Sequence, residues 1–184
     1  MAHASNKTGL YEALGQIVVS FSVLEQRLDC LLASSLKTPL AQNAVIIKGM
    51  SFAQKVTIMN DLICELHSEC DLGALNHTLA ALVERCHSCE LERNNWVRAY
   101  WVPEAESQAG QVMCLQYSAV TGDLELVPVK LIELDNFIVL LNATIAYLSG
   151  FHQKLFTQFN RLRDLSDNSF NLELVSNSSL NSQN

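Results

Sequence analysis

The stretch GLYEALGQIVVSFSVLEQRLDCLL, residues 9–32, has an apolar side chain at every third or fourth position. This spacing places those side chains on one face of an α-helix. The face consists of Leu10, Leu14, Ile17, Phe21, Leu24, Leu28 and Leu31. The stretch therefore predicts a long helix with one buried side, and the fold depends on which other segments cover that side.

Three further segments repeat the helical spacing, within residues 52–66, 75–96 and 134–162. Ser51 is predicted to cap the start of the second helix, and Pro103 is predicted to close the third. Four amphipathic helices joined by short connections are typical of an antiparallel four-helix bundle. The predicted fold class is therefore all-α.

Residues 111–129 depart from the helical pattern. The segments QVMCLQYSAV and DLELVPV are rich in β-forming residues and flank the turn sequence Thr121-Gly122. We therefore expect a small β-hairpin inserted before the last long helix. Because a lone hairpin is marginally stable in water, it should lie against the bundle or against a partner chain.

The predicted helical domain spans residues 8–164, with an N-terminal extension of residues 1–7 before it. The tail, residues 165–184, is expected to be disordered. From residue 166 onward it contains six serines and five asparagines, a composition that does not supply a packed core.

The composition limits the classes of function. A net charge of −7 opposes a broad electrostatic grip on nucleic acid, which needs many phosphate contacts, but leaves room for a small basic site. No secretory signal pattern is visible, and the nearest candidate for a membrane span, residues 131–151, is interrupted by Glu133 and Asp135. We therefore expect a cytoplasmic protein with no membrane partner and with six reduced cysteines.

No metal or cofactor is expected. Cys86 and Cys89 form a CxxC pair, but zinc needs four ligands and no second pair has suitable spacing. Both cysteines also fall on the apolar stripe of the third helix, which predicts core thiols. A metal site at Cys64, His67 and Cys70 is the alternative.

Arg93 occupies a position in the third helix where the spacing calls for an apolar residue. A guanidinium is always protonated, so burying it without a partner is costly. Glu25, Glu90 and Glu92 are candidate partners. Two interpretations stay open: an internal ion pair with no activity, and an arginine placed to hold a phosphate, for which its forked donors are suited.

The segment ERNNWVRAYW, residues 92–101, resembles the signature of HEPN domains, the "higher eukaryotes and prokaryotes nucleotide-binding" family. Their motif is Arg-Asn-x-x-x-His at the end of a long helix in a four-helix bundle. Arg93 and Asn94 match it, Glu92 fits the acidic residue that often precedes it, and Tyr100 stands where some members have a tyrosine. Arg98 occupies the histidine position. The resemblance covers about residues 8–162.

The resemblance implies a homodimer in which two copies of the motif line one cleft. Active members are metal-independent endoribonucleases, in which Arg93 would hold the scissile phosphate and Asn94 would help to organise the site. Other members bind nucleotides, RNA or partner proteins without catalysis. The family also implies a toxin–antitoxin or defence context, with an antitoxin or another protein as a partner.

Arg98 weakens the enzymatic interpretation. Its pKa of roughly 12.5–13.8 prevents it from carrying protons at neutral pH, and a general acid or base typically contributes about 10²–10⁴ in rate. His152 is a candidate substitute, with a core histidine as the alternative. We therefore predict a noncatalytic or strongly impaired RNA- or nucleotide-binding protein. The predicted ligand contacts are Arg93, Asn94, Arg98 and Tyr100, supported by Glu25, Glu92 and Trp96.

Two other functions stay open. One is a metal-independent endoribonuclease that is active despite Arg98. The other is a helical protein-interaction module with no nucleic-acid ligand, in which the arginines form interface ion pairs and the aromatic residues at the helix end serve packing.

Overall fold

The structure is a computed structural model that describes residues 2–36, 45–69, 73–103, 105, 108–117 and 122–180. Most of these residues are helical, and the remainder includes a small three-stranded antiparallel sheet. The helices are α1 (Ala2–Ser35), α2 (Phe52–Glu69), α3 (Gly73–Arg98) and α4 (Leu131–Leu180). The strands are β1 (Tyr100–Trp101), β2 (Gln111–Tyr117) and β3 (Leu124–Lys130).

The helices pack around one apolar core, and the predicted stripe of α1 forms a large part of it. Six of its seven side chains are buried, and Leu14 is partly buried. The Ser51 cap of α2 is confirmed. The backbone N–H of Gln54 donates to Ser51 Oγ over 3.3 Å, and the backbone N–H of Ser51 donates to Gln54 Oε1 over 2.8 Å. This reciprocal pair is a capping box.

The bundle is not antiparallel throughout, because α1 and α4 run in the same direction. A Cβ added at Gly9 would lie 3.1 Å from Leu131 Cδ1, near the start of both helices. Further along both helices, Ser34 Oγ lies 2.8 Å from His152 Nε2. Helix α2 begins beside the middle of α1, where Phe52 packs on Phe21 and Lys55 pairs with Glu25.

The sheet has three strands in the order β1-β2-β3, and not the two of a lone hairpin. The strand that the hairpin prediction lacked is β1, in which Tyr100 and Trp101 pair with Leu115 and Cys114. The sequence had placed these two aromatic residues at the end of the third helix, but that helix ends at Arg98. Aromatic side chains favour strands, and Pro103 disfavours helix nearby.

Both ends of the described chain are helical. Helix α1 begins at Ala2 and includes most of the predicted extension. Buried Asn6 anchors it: Nδ2 donates to the Gln108 carbonyl over 2.8 Å, and Oδ1 accepts from the Gly110 amide over 3.0 Å. Helix α4 continues to Leu180, through most of the tail predicted to be disordered. No glycine or proline after Gly150 interrupts it.

One helix in the described part of the chain has the length and composition of a membrane span. It covers Leu131–Gln158 of α4, with a mean hydropathy of 1.5 in its most apolar window. Core helices of soluble proteins share these properties. The buried side of α4, which includes Leu134, Leu141 and Leu148, lies in the common core.

Candidate ligand-binding site at the end of helix α3

A groove of about 690 Å³ lies where α3 ends and the chain enters the sheet. Five of the seven predicted site residues line it. They are Glu92, Asn94, Trp96, Arg98 and Tyr100. The other two, Arg93 and Glu25, do not line it, so the structure separates part of the predicted site.

Arg98 and Tyr100 are the most accessible predicted contacts in the groove. Arg98 is exposed at the last position of α3, and its side chain makes no hydrogen bond or ion pair with any residue that the structure describes. Its charge also suits the negative end of the helix dipole. Tyr100, in β1, is 73% exposed. Together they present a cation and an exposed aromatic ring to the same groove.

Arg93 lies on another side of α3, against α1. Its Cζ is 5.0 Å from the centre of the Phe21 ring, a cation–π contact. Its Nη1 donates to Asn94 Oδ1 over 2.9 Å, while its buried Nε has no hydrogen-bond partner among the described residues. Positions 93 and 98 are about 140° apart around a helix. The two arginines therefore do not share one groove. Asn94 lines the groove together with Arg98 and accepts a hydrogen bond from Arg93.

The predicted pairing of Glu25 with Arg93 is not found, because Glu25 pairs with Lys55. It accepts a hydrogen bond from Lys55 Nζ over 2.8 Å, and Asp29 Oδ1 lies 2.8 Å from the same nitrogen, outside hydrogen-bond geometry. Burial alone would lower the pKa of Lys55, but the contacts with Asp29 and Glu25 raise it above its ordinary value. The cause is the position of α2, which places Lys55 between the two carboxylates of α1.

Trp96 serves mainly as packing for the turn from α3 into the sheet. Its ring stacks on Trp101, with centroids 6.1 Å apart and planes 18° apart. Trp101 Nε1 donates to the Trp96 carbonyl over 3.0 Å. These contacts hold Arg98 and Tyr100 at the groove.

Sequence reasoning missed the wall that β2 supplies. Cys114, Leu115 and Gln116 line the groove, and Gln116 is exposed there. Their place depends on the pairing of β2 with β1, which joins residues far apart in sequence. A hairpin prediction alone carries no signal for that pairing.

The predicted core thiols Cys86 and Cys89 are both fully buried. No group of three or more His, Cys, Asp or Glu side chains in the described part of the chain is placed to hold a metal ion. The alternative metal site includes His67 and Cys70, whose side chains lie outside that part.

Cys86 is expected to resist alkylation in the folded protein. Burial, with a smaller effect of neighbouring Cys89, raises the pKa of its thiol to about 12, so at pH 8 only about one thiol in ten thousand is ionised. The exposed Cys30 and Cys64 should react first. Mass spectrometry of peptides after brief maleimide treatment measures this, with denatured protein as the control. Rapid labelling of native Cys86 would contradict the buried placement.

His152 does not line the groove at Arg98. It contacts Ser34 near the end of α1, in a separate groove of about 390 Å³ that also includes Arg27. Burial, and then the charge of Arg27, lower the pKa of His152. Within one protomer the structure therefore gives no support to His152 as a substitute for the missing motif histidine.

Comparison of the chain with family models, curated proteins and solved structures gives no match. The resemblance to HEPN domains therefore stays a prediction from the motif and the order of elements.

Proposed function

We propose that this protein is an HEPN-like helical domain that binds RNA or a nucleotide through the groove at the end of α3. One observation carries the proposal: Asn94, Arg98 and Tyr100, all predicted from the sequence to contact the ligand, line one groove. Arg98 has no competing partner there among the described residues. The proposed protein is cytoplasmic and homodimeric, with an antitoxin or another protein as a further partner.

The chemistry of the groove suits a phosphate next to a base. The guanidinium of Arg98 can hold a phosphate through two parallel hydrogen bonds. The exposed ring of Tyr100 can stack on a base, as aromatic residues do in single-stranded RNA recognition. Asn94 Oδ1 accepts from Arg93, which leaves its amide group to donate to the ligand. In this proposal Arg93 is a positioning residue, and Arg98 is the phosphate contact.

The proposed function is binding without efficient cleavage. Cutting RNA requires a group that accepts the proton of the 2′-hydroxyl and a second group that protonates the leaving oxygen. Glu92 can serve as the first, but none of the groove-lining residues is a histidine that can serve as the second. Arg98 cannot take that role. Cys114 is buried, and burial raises the pKa of its thiol, so it is a poor base at neutral pH. We therefore favour the noncatalytic alternative over the endoribonuclease.

Replacing Arg98 by alanine should weaken binding of a short single-stranded RNA at least tenfold. A hydrogen bond to a charged group contributes about 1.5–3 kcal/mol, and one phosphate contact is lost. Fluorescence anisotropy with labelled RNA, and with labelled ATP in parallel, measures the Kd at two salt concentrations. Arg85→Ala is the matched control, because Arg85 is also exposed on α3 but lies over the Tyr147 ring, outside the groove.

The same proteins are then tested for RNA cleavage. Wild-type cleavage that disappears in Arg98→Ala would overturn the noncatalytic proposal. Cleavage only by Arg98→His would support a site that lost its proton carrier. If the wild type binds neither RNA nor ATP, the nucleic-acid proposal fails and the protein-interaction alternative takes its place.

A further inference from the structure

A second groove, separate from the one at Arg98, lies between helices α1 and α4. Its volume of about 390 Å³ falls within the range of about 300–1,000 Å³ that is usual for small-molecule sites. The parallel packing of the two helices brings the end of α1 beside the middle of α4. The groove is lined by Arg27 and Ser34 of α1 and by Leu148, Ser149, His152, Gln153 and Phe156 of α4.

Arg27 gives this groove a positive charge that no described residue neutralises. Its side chain is exposed and makes no hydrogen bond or ion pair with any residue that the structure describes. The positions three and four residues away on α1 hold Val23, Leu24, Cys30 and Leu31, so its own helix offers no carboxylate neighbour. None of the described residues that line the groove is an aspartate or a glutamate.

His152 supplies a second nitrogen that can bind an anion. Ser34 donates its hydroxyl proton to the Leu31 carbonyl over 2.8 Å. A hydroxyl has one proton, so in the 2.8 Å contact between Ser34 Oγ and His152 Nε2 the histidine is the donor. Nδ1 of the neutral ring is then unprotonated, and it has no hydrogen-bond partner in the described part of the chain. It can take up a proton and donate it to a ligand.

The charges around His152 all have the same sign. Arg27 faces it from α1 and, after burial, is the second cause that lowers the pKa of the imidazole. On α4 itself the exposed Lys154 lies two residues away and lines a neighbouring groove. Neither groove has an acidic side chain among its described residues. The site therefore holds positive groups together without a counterion.

We propose that the groove between α1 and α4 binds a small organic anion, whose carboxylate or phosphate is held by Arg27 and His152. A guanidinium holds either group through two parallel hydrogen bonds. The apolar part of the ligand would lie against Leu148 and against Phe156, a ring that is 54% exposed. A ligand with both parts matches the charge and the apolar wall together. This inference does not rest on the proposed function at Arg98.

Binding of the anion should be coupled to uptake of a proton. In the free protein the pKa of His152 is lowered from its ordinary value of 6.5, so the ring is mostly neutral at pH 7. A negative charge beside it favours the protonated form and raises that pKa. By linkage, the anion binds more tightly as the pH falls toward the pKa of the free protein.

The contact between Ser34 and His152 supports binding and not hydrolysis. A serine nucleophile gives its proton to the histidine, whereas Ser34 donates to the Leu31 carbonyl. No carboxylate among the residues that line the groove orients the ring. The pair is therefore better suited to fix the imidazole for a ligand than to attack one.

Titration of the full chain followed by NMR tests the proposal, with benzoate and phenyl phosphate as probes. Saturable binding with a Kd on the order of millimolar is expected for at least one of them, and the tighter of the two identifies the preferred anionic group. Benzyl alcohol, which lacks the charge, should bind at least about tenfold more weakly. Arg27→Gln should weaken anion binding to a similar extent, while Arg85→Gln, an exposed arginine of α3, is the matched control.

Benzoate also tests the role of His152, because carboxylic acids titrate near pH 4 and it stays ionised from about pH 5.5 to 8. Its Kd for the wild type should fall about fivefold as the pH falls over this range. His152→Gln should remove this dependence. His87→Gln, which replaces an exposed histidine of α3, should keep it.

Three results would overturn the proposal. They are no saturation by either anion up to about 20 mM, equal binding of benzyl alcohol and benzoate, and unchanged binding by Arg27→Gln. A Kd that does not change with pH in the wild type would remove His152 from the site. Circular dichroism confirms that each variant is folded, with Arg27→Ala as the second variant. Arg98→Ala should bind benzoate as the wild type does, so a failure of the proposed function is separated from a failure of this site.

Discussion

Replacement of Phe21 by alanine is expected to lower the free energy of unfolding by about 3–5 kcal/mol. Phe21 is 5% exposed on α1 and joins three helices. Its ring centre lies 4.7 Å from that of Phe52 on α2 and 5.0 Å from Arg93 Cζ on α3. Truncation therefore removes a large apolar side chain and leaves a cavity. It also removes the cation–π contact of the partly buried Arg93 guanidinium.

Urea denaturation followed by circular dichroism measures this change. Val19→Ala, two residues away at a position 64% exposed, is the control and should change stability by less than about 0.5 kcal/mol. Phe21→Leu keeps most of the apolar volume and removes the ring, so its effect measures the loss of the ring contacts with Phe52 and Arg93. A loss below about 1.5 kcal/mol in Phe21→Ala would contradict the packing described here.

Replacement of Lys55 by methionine is expected to destabilise the fold by about 2 kcal/mol at neutral pH. Breaking a buried ion pair typically costs about 3–5 kcal/mol. Glu25 and Asp29 keep 37% and 31% of their side-chain surface exposed, so water compensates part of the loss. The exposed Lys48→Met is the matched control and should have little effect.

The difference between wild type and Lys55→Met should also depend on pH. The pKa of Lys55 is raised in the fold above its ordinary value of 10.5. Its contribution to stability is therefore complete below pH 10.5 and is lost as the pH rises through the higher folded value. Urea denaturation of both proteins from pH 7 to above pH 11 tests this. A constant difference would show that the methionine acts through packing and not through lost charge.

The apolar periodicity predicted the helices well but could not predict how they are oriented. The stripe from Leu10 to Leu31 is buried as expected. The same stripe would be buried whether α4 ran parallel or antiparallel to α1, so the direction of α4 was missed. The burial of Lys55 against Glu25 and Asp29 is a related case. It depends on where α2 begins along α1, and the spacing of apolar residues carries no signal for that.

The sequence predicted most residues of the candidate site but not how they are arranged. Arg93 interrupts an apolar stripe, which indicated that its charge needs a specific partner or access to solvent. Whether its side chain faces a groove or an aromatic ring depends on how the neighbouring helices pack. In the structure the Arg93 side chain lies over the Phe21 ring, and Arg98 lines the groove. Tyr100 was expected on a helix and lies in a strand two residues long. Such a strand is defined by its pairing with β2 and not by a pattern of its own.

The parallel packing of α1 and α4 has a consequence for synthesis of the protein. Helix α1 packs most extensively against α4, which leaves the ribosome only after residues 36–130 have been made. Until then part of the leucine-rich side of α1 has no final cover in the nascent chain. Exposed apolar surface of this kind promotes aggregation. The growing chain is therefore most exposed to aggregation until its first helix meets the fourth.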